Sequence, residues 1–170
     1  MENFKPQNYK TELENIFLNI QASKNWREDT LQTILKKFPK DGNKLFRHDE
    51  LVASYEYLNM KDKIVEERIR LKPTRTNSGV ATVTVLSKPF PCPGGCIFCP
   101  NDPSMPKSYI SSEPGAQRAL SNCFDPYAQV YNRLIALKNI GHNIEKIELL
   151  VLGGSWSAYP EEYKISFVNA

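Results

Sequence analysis

Apolar residues at Leu13, Ile16, Phe17 and Ile20 recur at helical spacing and predict a first helix from Lys10, capped by Thr11 or Asn8. Leu31, Ile34, Leu35 and Phe38 predict a second, starting near Trp26 and stopped by Pro39. Leu51, Tyr55, Leu58 and Met60 predict a third helical segment, from His48 to about Ile69. The period then changes. Val80-Ala81-Thr82-Val83-Thr84-Val85-Leu86 is rich in β-branched residues and reads as a strand. A short helix from Glu113-Pro114 to about Asn122 follows. Asp125-Pro126 then opens a longer one, with Asp as N-cap and Pro in its first turn. Tyr127, Val130, Tyr131, Leu134 and Leu137 form its apolar face, Gly141 its left-handed cap, and Lys138 and His142 complement its dipole. Ile147 to Leu152 predicts a second strand, ending at Gly153-Gly154.

Strand, helix, strand is a βαβ unit, so the two strands should be parallel, with a right-handed crossover. The expected fold class is α/β. A helical module (residues 1–75) leads through the Pro- and Gly-punctuated stretch Lys72 to Gly79 into an α/β part (residues 76–170). The polar opening, residues 1–8, is expected to fray.

The first strand feeds Lys-Pro-Phe-Pro-Cys-Pro-Gly-Gly-Cys-Ile-Phe-Cys-Pro-Asn, residues 88–101. Cys92, Cys96 and Cys99 stand in C-x3-C-x2-C spacing. Three thiolates this close can hold three irons of a [4Fe–4S] cluster, leaving the fourth iron without a protein ligand. An open coordination position goes with chemistry rather than structure alone. Gly94 and Gly95 let the backbone turn tightly and offer N–H groups to the sulfurs. Zinc is the competing reading, with His48, Cys123, His142 or Asp102 as a fourth ligand, although none sits at zinc-finger spacing. A disulfide with a spare thiol, or plain buried cysteines, rank lower. Gly153-Gly154 should lie beside the cysteine loop at one end of the sheet, where backbone can approach a ligand closely.

Composition adds little to this. Hydrophobic residues make up 41% of the chain, enough for a packed core. Three of the four cysteines share one loop, which suits a reducing compartment, and Cys123 reads as a buried or half-buried small residue. No stretch has the apolar length of a bilayer span, so the expectation is a soluble, cytoplasmic protein with no membrane partner. The net charge of +3 is mild, but its distribution is uneven. Lys36, Lys37, Lys40, Lys44 and Arg47 form one basic group, and Arg68, Arg70, Lys72 and Arg75 another. Singly each is a solvated charge; together they could contact phosphates.

The cysteine spacing, with Phe98 before the last cysteine, resembles the signature of radical S-adenosylmethionine (radical SAM) enzymes. In that superfamily the open iron chelates SAM, reduction splits SAM to a 5′-deoxyadenosyl radical, and Phe98 would lie beside the adenine. From about Lys72 to Tyr163 the chain resembles the family of the Elongator catalytic subunit more specifically. The matching phrases are Lys72-Pro73 with Arg75-Thr76, Ser78-Gly79-Val80, Lys88-Pro89-Phe90-Pro91-Cys92-Pro93, Ser108-Tyr109 and Glu113-Pro114. They continue with Arg118-Ala119, Asp125-Pro126-Tyr127, Gly141-His142, Lys146-Ile147-Glu148, Gly153-Gly154 and Tyr159-Pro160. The resemblance implies that Cys92, Cys96 and Cys99 bind the cluster and that Gly153, Gly154 and Ser155 take the SAM amino group. It also assigns Lys146 to acetyl-CoA, as co-substrate. The implied activity is an acyltransferase of the radical SAM class, starting carboxymethylation at C5 of wobble uridine 34. The helical module would then clamp tRNA through its basic groups.

The first cysteine gap is shorter than in many members of that family. The family also continues into more strands of a partial (β/α) barrel and an acetyltransferase domain. The chain is therefore expected to be a truncated radical SAM core, the remainder coming from a missing segment or a second chain, with full activity not expected of it alone. The alternatives are a non-catalytic iron–sulfur or zinc RNA-binding module, and a radical SAM enzyme with another substrate.

Overall fold

The computed structural model describes residues 4–170. Contacts divide the chain into two units. The first holds the described residues up to Gly79 together with Ala136–Asn143, and the second holds Val80–Ile135 and Ile144–Ala170. Of the opening expected to fray, residues 1–3 lie outside the described residues, and Pro6–Tyr9 form a 3-10 turn.

The first unit is built on four helices: α1 (Lys10–Ala22), α2 (Thr30–Lys37), α3 (His48–Tyr57) and α4 (Lys63–Ile69). The stripe Leu13, Ile16, Phe17 and Ile20 is fully buried on α1 and packs with Leu31, Ile34, Leu35, Phe46, Leu51, Val52, Val65 and Ile69 in one cluster. Two expectations need correction. The segment from His48 to Ile69 is two helices, because Asn59 turns left-handed (φ 50°) and Asp62 caps α4. The Asp62 Oδ1 accepts the N–H groups of Ile64 and Val65 at 2.8 and 3.1 Å. Asp62 therefore starts a second helix within the segment expected to be one. The second helix starts at Thr30, not near Trp26; the Arg68 guanidinium instead lies 4.5 Å from the centre of the Trp26 ring. After Asn139, Gly141 (φ 87°) closes the turn as expected. His142 is buried, with Nδ1 2.9 Å from Thr76 Oγ1, so it is held inside the unit rather than serving only as a dipole complement.

The second unit contains β1 (Ala81–Leu86), α5 (Pro114–Ser121), β2 (Ile147–Leu152), α7 (Glu161–Asn169) and most of α6 (Pro126–Asn139). The strands are parallel, as expected, and pair without a slip from Ala81↔Ile147 to Leu86↔Leu152. Ala81, Val83, Val85 and Leu86 are buried. Leu86 packs with Met105, Ala116 and Ala119, against which Tyr109, Phe124 and Leu152 lean. Asp125 caps α6 by accepting the Ala128 N–H at 2.6 Å.

The face of α6 matches expectation at Leu137, which is buried, and differs at Tyr127 and Tyr131. Tyr127 and Tyr131 stack on each other at 5.9 Å but are exposed. The buried residue in that stretch is Gln129, whose amide accepts from Leu86 N–H at 3.0 Å and donates to Leu86 C=O at 2.9 Å. A polar side chain thus satisfies both backbone groups at the end of β1, which an apolar residue there could not do. Cys123 is exposed, not buried; with Phe124 it forms a left-handed turn between α5 and α6 (φ 51° and 57°). Among the described residues no helix is long and apolar enough to cross a membrane.

Candidate cofactor site

Both strands end at one place. Ser87 continues β1 by donating its N–H to Leu152 C=O at 2.9 Å. Its side chain is buried, 2.8 Å from the Tyr159 hydroxyl, which in turn donates to Lys88 C=O at 2.7 Å. Lys88 N–H donates to the Tyr163 hydroxyl at 3.0 Å, and the Lys88 ammonium lies 4.6 Å from the centre of that ring. The chain is therefore fixed just before it enters the cysteine loop. On the neighbouring strand, Gly153 has φ 153°, and a Cβ built on it would fall 1.9 Å from Ser87 Oγ. Only glycine fits where the two strand ends come this close.

The cysteine loop is irregular, with one turn closed by Cys99 N–H to Cys96 C=O at 3.2 Å. A cleft of about 440 Å³ is lined by Cys92, Gly94, Gly95, Cys96, Cys99, Asn101, Lys107, Ser108, Gly153, Gly154 and Ser155. Cys92 Sγ lies 3.2 Å from Ser155 Oγ and accepts the Gly94 N–H at 3.4 Å. Cys99 Sγ lies 3.9 Å from Ser108 Oγ. The Cys92 thiol is held below its ordinary pKa, chiefly by the Ser155 hydroxyl, then by the backbone N–H groups of Gly94 and Ser155, with Lys107 adding a smaller attraction. That favours the thiolate, the form that binds metal.

A cluster of several irons fits this donor set. The Gly94 hydrogen faces two sulfurs: a Cβ there would sit 3.6 Å from both Cys92 Sγ and Cys96 Sγ. Among the described residues no three His, Cys, Asp or Glu side chains come close enough to enclose a single ion. The three thiols line one cleft, and three thiolates from one short loop are a usual donor set for an iron–sulfur cluster. The zinc candidate Asp102 is engaged elsewhere: its carboxylate takes the Ser104 N–H, the Ser104 hydroxyl and the Ser111 N–H at 3.0, 2.6 and 2.8 Å. Those bonds hold its pKa down at about 2.

Of the other expected site residues, Gly153, Gly154 and Ser155 line the cleft with the cysteines. Phe98 is 92% exposed. Lys146 lies just before β2, at the opposite end of that strand from Gly153, roughly 20 Å away at the usual rise of a strand. Among the basic residues of the helical unit, Lys40 pairs with buried Glu50 at 2.5 Å and Arg47 with Asp49 at 3.0 Å. Arg68 donates to Ile20 C=O at 2.5 Å, and Arg70 to Gly141 C=O at 2.8 Å. Lys36, Lys37, Lys44, Lys72 and Arg75 are exposed. Sequence reasoning missed Lys107, Asn101 and Ser108 as cleft residues. Their place comes from the buried Met105 and Pro106, which anchor the return of the loop.

The carboxyl ends of the parallel strand pair carry a three-cysteine loop and a glycine turn around one cleft, the usual place for a ligand in an α/β sheet. The relatives of this chain carry two names, Elongator complex protein 3 and tRNA uridine(34) acetyltransferase. It is 37% identical to human Elongator complex protein 3 over 118 residues, which are 63% of this chain and 22% of that protein. It is 43% identical to the tRNA uridine(34) acetyltransferase of Methanocaldococcus jannaschii over 113 residues, 63% of this chain and 21% of that one. Elongator complex protein 3 of Schizosaccharomyces pombe is 36% identical over 112 residues, 59% of this chain and 21% of that one. The resemblance to the Elongator catalytic subunit read from the sequence is thus borne out. The chain spans about a fifth of the length of the curated relatives it matches. No protein-family model matches it.

Proposed function

We propose that this chain is part of a radical SAM enzyme that modifies C5 of wobble uridine 34 in tRNA, with acetyl-CoA as co-substrate. The observation that carries the reading is the convergence of Cys92, Cys96 and Cys99 with Gly153, Gly154 and Ser155 on one cleft. The name of the archaeal relative, a tRNA uridine(34) acetyltransferase, supports the choice of substrate. When bound, a three-thiolate [4Fe–4S] cluster supplies an open iron for the SAM amino and carboxylate groups and the electron that cleaves the sulfonium.

The chain's own residues do the rest. Cys92, Cys96 and Cys99 hold the cluster, and the Gly94 N–H and Ser155 hydroxyl support the Cys92 sulfur. Gly153 and Gly154 let backbone approach the amino group of SAM. Phe98, unpacked at the loop tip, covers the adenine. Lys146 meets acetyl-CoA at its phosphates rather than its thioester, because the length of β2 separates it from the cleft. Lys36, Lys37, Lys44, Lys72 and Arg75, whose side chains are exposed, serve as phosphate contacts for tRNA. Lys40, Arg68 and Arg70 shape the helical unit through internal contacts, and Arg47, exposed beside Asp49, joins the exposed group. Further strands and an acetyltransferase domain of the whole enzyme cover the apolar residues that β2 leaves exposed.

The test is anaerobic reconstitution with iron and sulfide, followed by reduction in the presence of SAM. The expected result is bound iron that is lost in Cys96→Ala, 5′-deoxyadenosine as product, and tRNA affinity that falls with salt. Stoichiometric zinc in place of iron, or tRNA binding with no SAM cleavage, would establish the non-catalytic RNA-binding module instead.

A further inference from the structure

Lys107 is the charged residue in the lining of the cleft, and no motif marks it. Its position is built from both sides. Met105 packs with Leu86, Ala116 and Ala119, and Pro106 is fully buried. Two residues further on, the half-buried Tyr109 has its hydroxyl hydrogen-bonded to the Gly153 backbone. Between these anchors, the Lys107 backbone N and Cβ lie 3.7 and 3.6 Å from the point where a Gly154 Cβ would be. Its ammonium donates to Asn101 Oδ1 at 3.3 Å. An ammonium has three donors, so this bond leaves capacity for a ligand. The lining holds no carboxylate, and no ion pair among the described residues engages Lys107.

We propose that Lys107, steered by Asn101, binds the carboxylate of the amino-acid-bearing cosubstrate of this cleft. The proposal rests on the radical SAM reading and adds to it the residue that selects the acidic end of the ligand. A phosphate of acyl-CoA is the other source of an anion. The carboxylate is favoured by position: the Lys107 backbone N lies 3.7 Å from the point a Gly154 Cβ would occupy, and the ligand's amino group is expected at Gly154. In an amino acid the amino and carboxylate groups share one carbon, so a partner for one must stand beside the partner for the other. Lys146, the residue expected to meet acetyl-CoA, stands at the far end of β2.

The experiment measures equilibrium binding of SAM, decarboxylated SAM and acetyl-CoA to the anaerobically loaded chain. Wild type is compared with Lys107→Met, Lys107→Gln and Lys107→Arg, with iron and sulfide assayed in each. The Met and Gln variants should weaken SAM about 10- to 100-fold, the range of a charge-assisted hydrogen bond, while Arg recovers most of the loss. Decarboxylated SAM should bind wild type and the neutral variants equally, and acetyl-CoA should be unaffected. Equal SAM affinity at equal iron content overturns the proposal and leaves the radical SAM reading standing. So does an equal loss for decarboxylated SAM, or a loss confined to acetyl-CoA. A wild-type chain that takes up no iron, or binds no SAM once loaded, removes the radical SAM reading and this proposal with it.

Discussion

β1 and β2 are alike in almost every local respect. Each has six residues, most of them apolar, and they pair residue for residue in one parallel sheet. Their surroundings differ completely. Val83 of β1 is fully buried, while its direct partner Leu149 of β2 is 53% exposed. Ile147, Leu150 and Val151 are also exposed. Partners in a sheet point to the same face, so the contrast does not come from the pleat. The elements packed on β1 do not extend to its neighbour. An apolar run therefore states that a strand is built for burial, not that this stretch of chain supplies the cover.

The sharpest way to break the comparison is to place the same charge on both partners. Val83→Asp should destabilise the second unit by about 4 kcal/mol, since it buries a carboxylate without a partner. Leu149→Asp should cost within about 1 kcal/mol. Urea unfolding of the two variants reads the difference, and equal costs would mean that β2 is covered in solution. A smaller effect is expected where the strands end. Gly153→Ala should cost about 1–3 kcal/mol, from the Ser87 clash and the positive φ, and should lower iron retention. Gly95→Ala, with nothing within 4 Å of its Cβ, should stay within about 0.5 kcal/mol. The same unfolding curves and an iron assay decide between them.

The smallest effect concerns the loop that returns from the cysteines. Asp102 has its pKa lowered from 3.8 to about 2 by the hydroxyl and N–H groups of Ser104 and Ser111. A depressed carboxylate contributes stability that is fully present above its unfolded pKa and is lost as pH falls through the folded value. The loop should therefore keep its order at pH 4 and lose this contribution between about 4 and 2. An NMR titration of the Asp102 carboxyl checks it; a midpoint near 3.8 would show that these hydrogen bonds do not persist in water.

Much of this fold is legible in the sequence because its signals are local. The β-branched run, Asp125-Pro126 and Gly141 each act over a few residues, and the strand–helix–strand order then dictates parallel pairing. The cysteine loop and Gly153-Gly154 meet in one cleft for the same reason. The misreadings arose where a distant partner decides. Tyr127 and Tyr131 sit at helical spacing yet are exposed, while Gln129 is buried because the end of β1 needs a donor and an acceptor. The break at Asn59–Asp62 depended on a cap hidden among ordinary charges. Lys107 was invisible because a lysine has no spacing to match, and its place comes from Met105 and Pro106 reaching the core.

The pairing of Thr82 with Glu148 joins positions 66 residues apart along the chain. Contacts that distant are late events in folding, because a large loop must close before they return any stabilisation. The local helices α5 and α6 lie within that loop and do not have to wait for it. The thiol-bearing segment therefore leaves the ribosome well before the glycine turn that completes its pocket. Under the proposed function, iron delivered to the nascent polypeptide would meet an unfinished receptacle, and loading would follow the docking of Ile147–Leu152.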